Sequence, residues 1–354
     1  MVLVNGSKGI GTGFSTEIMC YNPKDIIAYL KNKLKSIIND NVEFLPYYEG
    51  FTGEILKLAD TKFLFKGKYE VLKGEQDKIR VTELPIGYWT EDFKELIESL
   101  IEPGVDKDGK KIQATIKDYD DMSKDTDVDF TITFMKGKLE ELENSKGDHG
   151  CNGLEKTLKL YTTNSTTNMH LFDANDTLQK YNKISDIIDA YYETRLKMYG
   201  TRKEYMIDAL QKELVILSNK AKYIKENLDG TIDLRKKKKE QVTEMLQSKG
   251  YDKIDDDQDY KYLVKMPMDS VTEENVEKLL KEKGNKETEL ETVKSTTINK
   301  MWLTELETLK IQYIEYKEER TRLMNGEEKK KKVVAKSSVK KIVKKQTSLI
   351  VEEN

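Results

Sequence analysis

The sequence is poor in the residues from which most metal and nucleophile sites are built. Among 354 residues there are only two cysteines, Cys20 and Cys151, and two histidines, His149 and His170. Two cysteines make neither a disulfide framework nor a thiolate metal cluster. The two histidines are far apart in sequence, so they supply no zinc ligand set and no histidine-based catalytic group. No apolar run is long enough to span a bilayer. The apolar start, Val2, Leu3 and Val4, runs straight into glycines, without the charged head and small-residue cleavage site of a secretory signal. These absences predict an intracellular, reducing setting. Neither sign of charge dominates. Lys and Arg number 61 against 64 Asp and Glu, a net charge of −3, so any nucleic-acid contact must come from local patches. Asp255-Asp256-Asp257 reads as a charged loop, and no aspartate pair with a distant glutamate makes a metal site.

Charge is nonetheless abundant. Charged residues make up 35% of the chain and the mean hydropathy is −0.70, polar for one compact globule but usual for long solvated helices. The length allows two or more domains.

The most unusual stretch is Asn5-Gly6-Ser7-Lys8-Gly9-Ile10-Gly11-Thr12-Gly13-Phe14-Ser15. It reads as a glycine-rich loop with one bulky apolar tip, Ile10. Three uses compete. A phosphate cradle of the Walker type needs Gly-Lys followed by Ser or Thr, and the order here is Ser7-Lys8-Gly9. A tight connection would tuck Ile10 back into its own domain. An apolar wedge on such a loop is what proteins push between base pairs to kink DNA.

Residues 1–170 read as mixed α and β. Pro23 suits a helix start, and Ile26, Ile27, Leu30 and Leu34 share one helical face. Strand-like runs follow at Phe63-Leu64-Phe65, at Lys68 to Val71 and at Lys78 to Thr82, separated by Gly67 and Gly74. Thr90 opens an amphipathic helix through Phe93, Leu96, Ile97, Leu100 and Ile101. Residues 128–134 alternate apolar and polar, the mark of a half-buried strand. Trp89, Phe93 and Tyr48 read as core. Lys62, Lys66, Lys68, Lys73 and Lys78 fit a phosphate-facing surface or, with Glu70, Glu75 and Asp77 interspersed, a solvated sheet face.

From Ile184 the period changes. Leu210, Leu214, Leu217, Ala221, Ile224 and Leu228 step by four and three, a heptad seam, and Asp229-Gly230 closes it. A second seam runs through Trp302, Leu306, Leu309, Tyr313, Tyr316 and Leu323, with Arg320 in one position. The simplest arrangement buries the two seams against each other in an antiparallel pair. Glu282, Lys283, Lys286, Glu287 and Glu289 read as solvated surface. Tyr262, Leu263, Met266 and Met268 lie between the seams, either capping the hairpin internally or forming a contact between subunits. Residues 326–354 carry Lys329 to Lys332 and Lys340, Lys341, Lys344 and Lys345. This tail is expected to be disordered and to bind phosphates, mark localisation or merely solubilise.

Several of these segments together resemble the eukaryotic-type (type IIA) DNA topoisomerase II family. The stretch from Asn5 to Ser15 resembles the segment downstream of that family's catalytic tyrosine. Tyr48-Glu49-Gly50-Phe51-Thr52-Gly53, Glu83-Leu84-Pro85-Ile86-Gly87-Tyr88-Trp89-Thr90 and Ile116-Lys117-Asp118-Tyr119 are similar to its successive landmarks. So are the run from Thr157 to Asp173, Tyr192-Glu193-Thr194-Arg195-Leu196, and the run from Tyr262 to Met268. The resemblance implies an α+β chain: a mixed α/β tower domain with an N-terminal DNA-wedge loop over 1–170, a long antiparallel coiled-coil arm with a globular dimerisation tip (the exit gate) over 171–325, and the basic tail over 326–354.

It further implies that Ile10 intercalates into and bends double-stranded DNA, within a binding loop of Asn5, Gly6, Lys8, Gly9, Gly11, Thr12 and Gly13. Homodimerisation would use Tyr262, Leu263, Met266 and Met268. The family's catalytic tyrosine, its magnesium-binding region and its ATPase lie upstream of the match. The complete enzyme is therefore expected to need Mg2+ and ATP, neither bound by this chain. The upstream region would be supplied in the same or a separate chain, and this chain alone is expected not to cleave DNA. The setting would be the nucleus or, since abundant Lys, Ile and Asn suit an AT-rich genome such as a large DNA virus's, a cytoplasmic viral factory. The rival reading is a non-catalytic coiled-coil DNA-binding scaffold or remnant.

Overall fold

The computed structural model describes residues 1–37, 42–72, 74–75, 77–104, 112–234, 237–254, 257–267 and 271–325. Lys73, Asp255, Asp256, Met268 and the tail 326–354 lie outside these described residues. In chain order the elements are α1 (Val2–Asn5), β1 (Ser7–Ile10), β2 (Ser15–Ile18), α2 (Pro23–Leu34), β3 (Glu54–Ala59), β4 (Lys62–Lys66), β5 (Lys68–Val71), β6 (Lys78–Glu83), α3 (Thr90–Ile101), β7 (Ile116–Asp121), β8 (Phe130–Phe134), α4 (Lys138–Asn144) and α5 (Gly153–Thr157). They continue with β9 (Tyr161–Ser165), β10 (Met169–Phe172), β11 (Leu178–Tyr181), α6 (Ile184–Leu228), α7 (Lys239–Ser248), α8 (Lys261–Val264), α9 (Glu273–Ser295) and α10 (Ile298–Met324). The chain is thus α+β, with small antiparallel sheets and long helices. It forms two compact units, one from Met1–Tyr48 with Thr166–Glu307, the other from Glu49–Ser165 with the described residues from Thr308 onward.

The second unit is built on two sheets, β3-β4-β9 and β5-β6-β8-β7. Alternation in β8 buries Phe130, Ile132 and Phe134, and α3 lays Phe93 and Ile97 over the same core with Ile79, Val81 and Ile116. Gly67 bends the chain between β4 and β5; a Cβ there would lie 2.5 Å from the Glu83 carbonyl oxygen. Glu155 is buried but fully used. It closes a capping box with Asn152 (2.9 and 2.8 Å) and pairs with Lys66 at 2.7 Å. Burial pulls the Lys66 ammonium down, yet the Glu155 carboxylate more than offsets that and its pKa ends raised.

One expectation changes here. Trp89 is 73% exposed. It is the N-cap residue of α3, one step before the amphipathic face begins, and its backbone is extended. Phe93 keeps the core position, and Tyr48 is half-buried. Of the lysines that fit a phosphate-facing surface, Lys66 and Lys78 are engaged by carboxylates. Lys66 is paired inward, and Lys78 meets Glu75 at 2.5 Å.

The first unit carries the arm. Helix α6 is continuous for 45 residues and ends at Leu228, followed by Gly230 at φ 69°. Leu210, Leu217, Ala221 and Ile224 of the expected seam are buried, whereas Leu228 is exposed. The partner differs from expectation. Helix α6 pairs along its length with α9, while α10 meets α6 through Trp302, which stacks on Tyr192 and Tyr199. Lys203 Nζ donates to the carbonyl oxygens of Lys294 and Thr296 at 2.9 and 2.7 Å, and Lys286 meets Glu213 at 3.0 Å, so the two helices run antiparallel.

Val276, Leu279, Lys283, Lys286, Leu290 and Val293 are among the half-buried positions of α9. Their steps of three and four form a heptad seam with lysine stems in its middle. A lysine can lay its methylenes on apolar surface and keep its ammonium in water. The α10 seam divides instead. Trp302 and Leu306 are buried, while Leu309, Tyr316 and Leu323 are exposed.

Candidate nucleic-acid interface

The glycine-rich stretch is not a loop throughout. It is a β-hairpin, β1 paired antiparallel with β2, in the register Ser7 with Ile18, Lys8 with Glu17, Gly9 with Thr16 and Ile10 with Ser15. Gly11 N–H donates to the Phe14 carbonyl at 2.8 Å and closes the turn. Gly13 in that turn has φ +91°, and Gly6, where α1 gives way to β1, has φ +68° with no room for a Cβ: it would lie 2.8 Å from the Ile18 carbonyl oxygen. Leu3 is buried and its carbonyl accepts from Tyr21 N–H at 2.7 Å, which fixes the base of the hairpin.

Side chains alternate across such a ribbon. Ile18 faces inward and is 3% exposed, whereas Ile10 faces out and is 89% exposed. That removes the reading in which Ile10 tucks back into its own domain. Lys8 shares the outward face and meets Glu17 at 3.3 Å. Asn5, Lys8, Gly9, Gly11, Thr12 and Gly13 are all exposed and Gly6 is half-buried. The hairpin thus presents two large apolar side chains to solvent, Ile10 and, less fully, Phe14 at 46% exposed.

Tyr262, Leu263 and Met266 sit elsewhere in the same unit, in a small core built by the end of α6 and the segment that follows it. Tyr223, Ile232, Val242, Leu246, Tyr251, Tyr260 and Leu263 make that core, with Tyr262 and Met266 packed on it. Leu263 is fully buried, so its side chain stabilises the tip from within and has no surface to offer a second copy of the chain. Burial pushes the Tyr262 hydroxyl up to about 12. That hydroxyl donates to the Asp252 carbonyl at 2.7 Å and accepts from the amide of buried Asn219 at 2.9 Å. Val264, which the sequence reading passed over, is 41% exposed.

Comparison with known proteins places the chain in a family. The DNA gyrase/topoisomerase IV A-subunit family matches residues 1–307. The chain belongs to the type IIA DNA topoisomerase family. It is 37% identical to DNA topoisomerase 2 of Plasmodium falciparum over 92% of its length and 24% of that protein. It is 33% identical to DNA topoisomerase 2 of Bombyx mori over 91% of its length and 23% of the relative. Its fold is similar to the crystal structure of the Plasmodium falciparum topoisomerase II DNA-binding, cleavage and re-ligation domain, with a TM-score of 0.79, 37% identity, and coverage of 92% of this chain and 45% of that one. The chain therefore spans about a quarter of the length of the relatives it matches.

Two features of this type IIA segment escaped the sequence reading. One is the contact of β10 with the hairpin. Asn168 lies in a Ser/Thr-rich run whose composition says only loop or strand edge. The other is the burial of Trp302 among Tyr191, Tyr192 and Tyr199. Its place as a seam position against α6 was legible, but its stacking on these tyrosines was not. Among the described residues no group of three His, Cys, Asp or Glu side chains converges as a metal site, and no helix is long and apolar enough to cross a membrane.

Proposed function

We propose that this chain is the DNA-bending, tower and exit-gate portion of an ATP-dependent type II topoisomerase. Such an enzyme passes one duplex through a transient double-strand break in another. In this reading the β1–β2 hairpin inserts Ile10 into the gate duplex and kinks it, and the second unit flanks the duplex as the tower. The α6–α9 arm carries a tip through which two copies meet. The cleaving tyrosine and the Mg2+- and ATP-dependent chemistry belong to the upstream region, in the same or a separate chain, so the 354-residue chain cleaves nothing by itself. Its place is where the duplex is, in the nucleus or in a cytoplasmic viral factory.

The observation that carries this reading is Ile10, 89% exposed at the end of a hairpin whose other face is anchored by buried Ile18. An isoleucine normally goes to a core, and a wedge is a physical reason to leave one in water. The test is Ile10→Ala in the assembled enzyme. Duplex bending, read by energy transfer between labelled ends, and cleavage should fall roughly tenfold, equivalent to about 1.4 kcal/mol, with little change in duplex affinity. Unchanged bending by a folded variant would overturn the wedge.

The rival scaffold reading predicts dimerisation through the heptads. Pairing of the α6 seam with α9 inside one chain favours the tip instead.

A further inference from the structure

We infer that Asn168 is a positioning residue for Ile10, holding the wedge hairpin at its insertion geometry; the inference rests on the wedge reading above. A two-stranded hairpin is marginal by itself, yet unstacking a base step requires a wedge that keeps its direction against resistance. The hairpin is not left alone. Each of the last three residues of β1 pairs with a β2 residue that β10 or its preceding residue holds. Ser15, opposite Ile10, has its Oγ bonded by the Asn168 side-chain amide at 2.9 Å. Thr16, opposite Gly9, accepts the backbone N–H of His170 at 3.1 Å. Glu17, opposite Lys8, donates its N–H to the Asn168 carbonyl at 2.8 Å.

Asn168 is itself fixed. His170 Nδ1 lies 3.0 Å from Asn168 Oδ1. That oxygen can only accept, so Nδ1 carries the proton, and the amide nitrogen is left to Ser15. The contacts also run in opposite chain directions, 168 beside 17 and 170 beside 16, so β10 lies antiparallel to β2. From β10 the chain continues through β11 into α6. Asn168 therefore braces the wedge strand from the element that leads into the arm.

The test uses Ile10→Ala, Asn168→Ala and Asn168→Asp. The aspartate keeps one oxygen for His170 Nδ1–H and a second that can accept the Ser15 hydroxyl proton. In the 354-residue chain, Asn168→Ala should speed amide hydrogen exchange over residues 7–18 about tenfold with no fall in thermal midpoint, as expected for a local opening. In the assembled enzyme it should reduce duplex bending about as much as Ile10→Ala does, at unchanged duplex affinity, and Asn168→Asp should restore it. Adding Ser15→Ala to Asn168→Ala should cost nothing further, since Asn168→Ala already removes the bond to Ser15. Bending lost in Ile10→Ala but kept in Asn168→Ala overturns the positioning role and leaves the wedge standing. Bending kept in Ile10→Ala overturns both.

Discussion

Lys286 meets Glu213 across the α6–α9 pair at 3.0 Å, from a position on the half-buried seam of α9. A lysine in a seam is unusual, and this one is raised in pKa by its bonds to Glu213 and Glu289. Reversing its charge places like charges against both partners. Lys286→Glu should cost about 0.5–1 kcal/mol, the range of screened ion pairs, and less at high salt. Lys286→Leu should instead raise the thermal midpoint by completing the apolar stripe. Thermal unfolding in low and high salt checks both, and a stabilising Lys286→Glu would contradict the pairing.

How much of this was legible follows from where each element draws its stability. Helix α3, strands β4 to β6 and the length of α6 could be read because their own apolar residues carry the period. Helix α9 could not, because its seam includes Lys283 and Lys286 and none of its residues is fully buried. The α10 seam was legible but ambiguous, since period alone does not name a partner. For the candidate site, the exposure of Ile10 was implied by the family resemblance, since its glycine neighbours alone left room for a side chain tucked back into the domain. The Asn168 brace was not, because it joins positions 153 residues apart and no local pattern records such a bond.

The buried state of Leu263 beside exposed Val264 separates two roles at the tip. Leu263→Ala should cost about 2–5 kcal/mol by opening a cavity in the tip core, read as loss of the helical signal at lower denaturant. Val264→Asp should leave the fold intact and, if two copies meet at this surface, shift sedimentation from dimer to monomer. A dimer unmoved by Val264→Asp would place the contact elsewhere.

Phe93 supports the core of the second unit from α3. It is fully buried and meets Phe130 edge-on at 5.1 Å and Tyr88 at 6.1 Å. Phe93→Ala should cost about 3–5 kcal/mol, whereas Trp89→Ala, four residues earlier and exposed, should cost less than about 0.5 kcal/mol. Urea unfolding of the two variants measures the difference, and equal losses would contradict the outward placement of Trp89.

Arg80 grips Asp129 with two bonds, 2.7 and 2.8 Å, between β6 and the residue before β8. These bonds hold the Asp129 carboxyl below its ordinary value of 3.8. A carboxyl depressed in the folded state contributes stability above its unfolded pKa and loses it as pH falls through the folded one. The protein should therefore weaken as pH drops below about 4, the ordinary carboxylate value, and Asp129→Asn should flatten part of that slope. Stability of the two proteins, measured by urea titration from neutral pH downward, should converge as acid is added. Parallel curves would mean that the pair does not persist in solution.

Trp302 supplies the last test because it joins three helices at the root of the arm. Its ring stacks between Tyr192 and Tyr199 of α6, each 5.3 Å away and within 22° and 23° of parallel. Cations close both ends of the stack. Lys33 of α2 lies 4.7 Å from the Tyr192 ring, and Arg195 lies 5.0 Å from the Tyr199 ring. Burial and a bond to Glu305 push the Tyr199 hydroxyl up to about 12. Removing the centre should cost most: about 3–5 kcal/mol for Trp302→Ala. Trp302→Phe should cost less, because a ring is kept. Lys33→Met should cost about 0.5–1 kcal/mol, the worth of an exposed cation over a ring, together with its ion pair to Asp189. With Trp89 replaced by Phe, Trp302 is the sole tryptophan and its emission reports the stack directly. A blue-shifted, quenched emission that moves to that of free tryptophan in the same urea transition as α6 unfolds is expected. Emission of a solvated indole in the native state would mean that the arm root is held some other way.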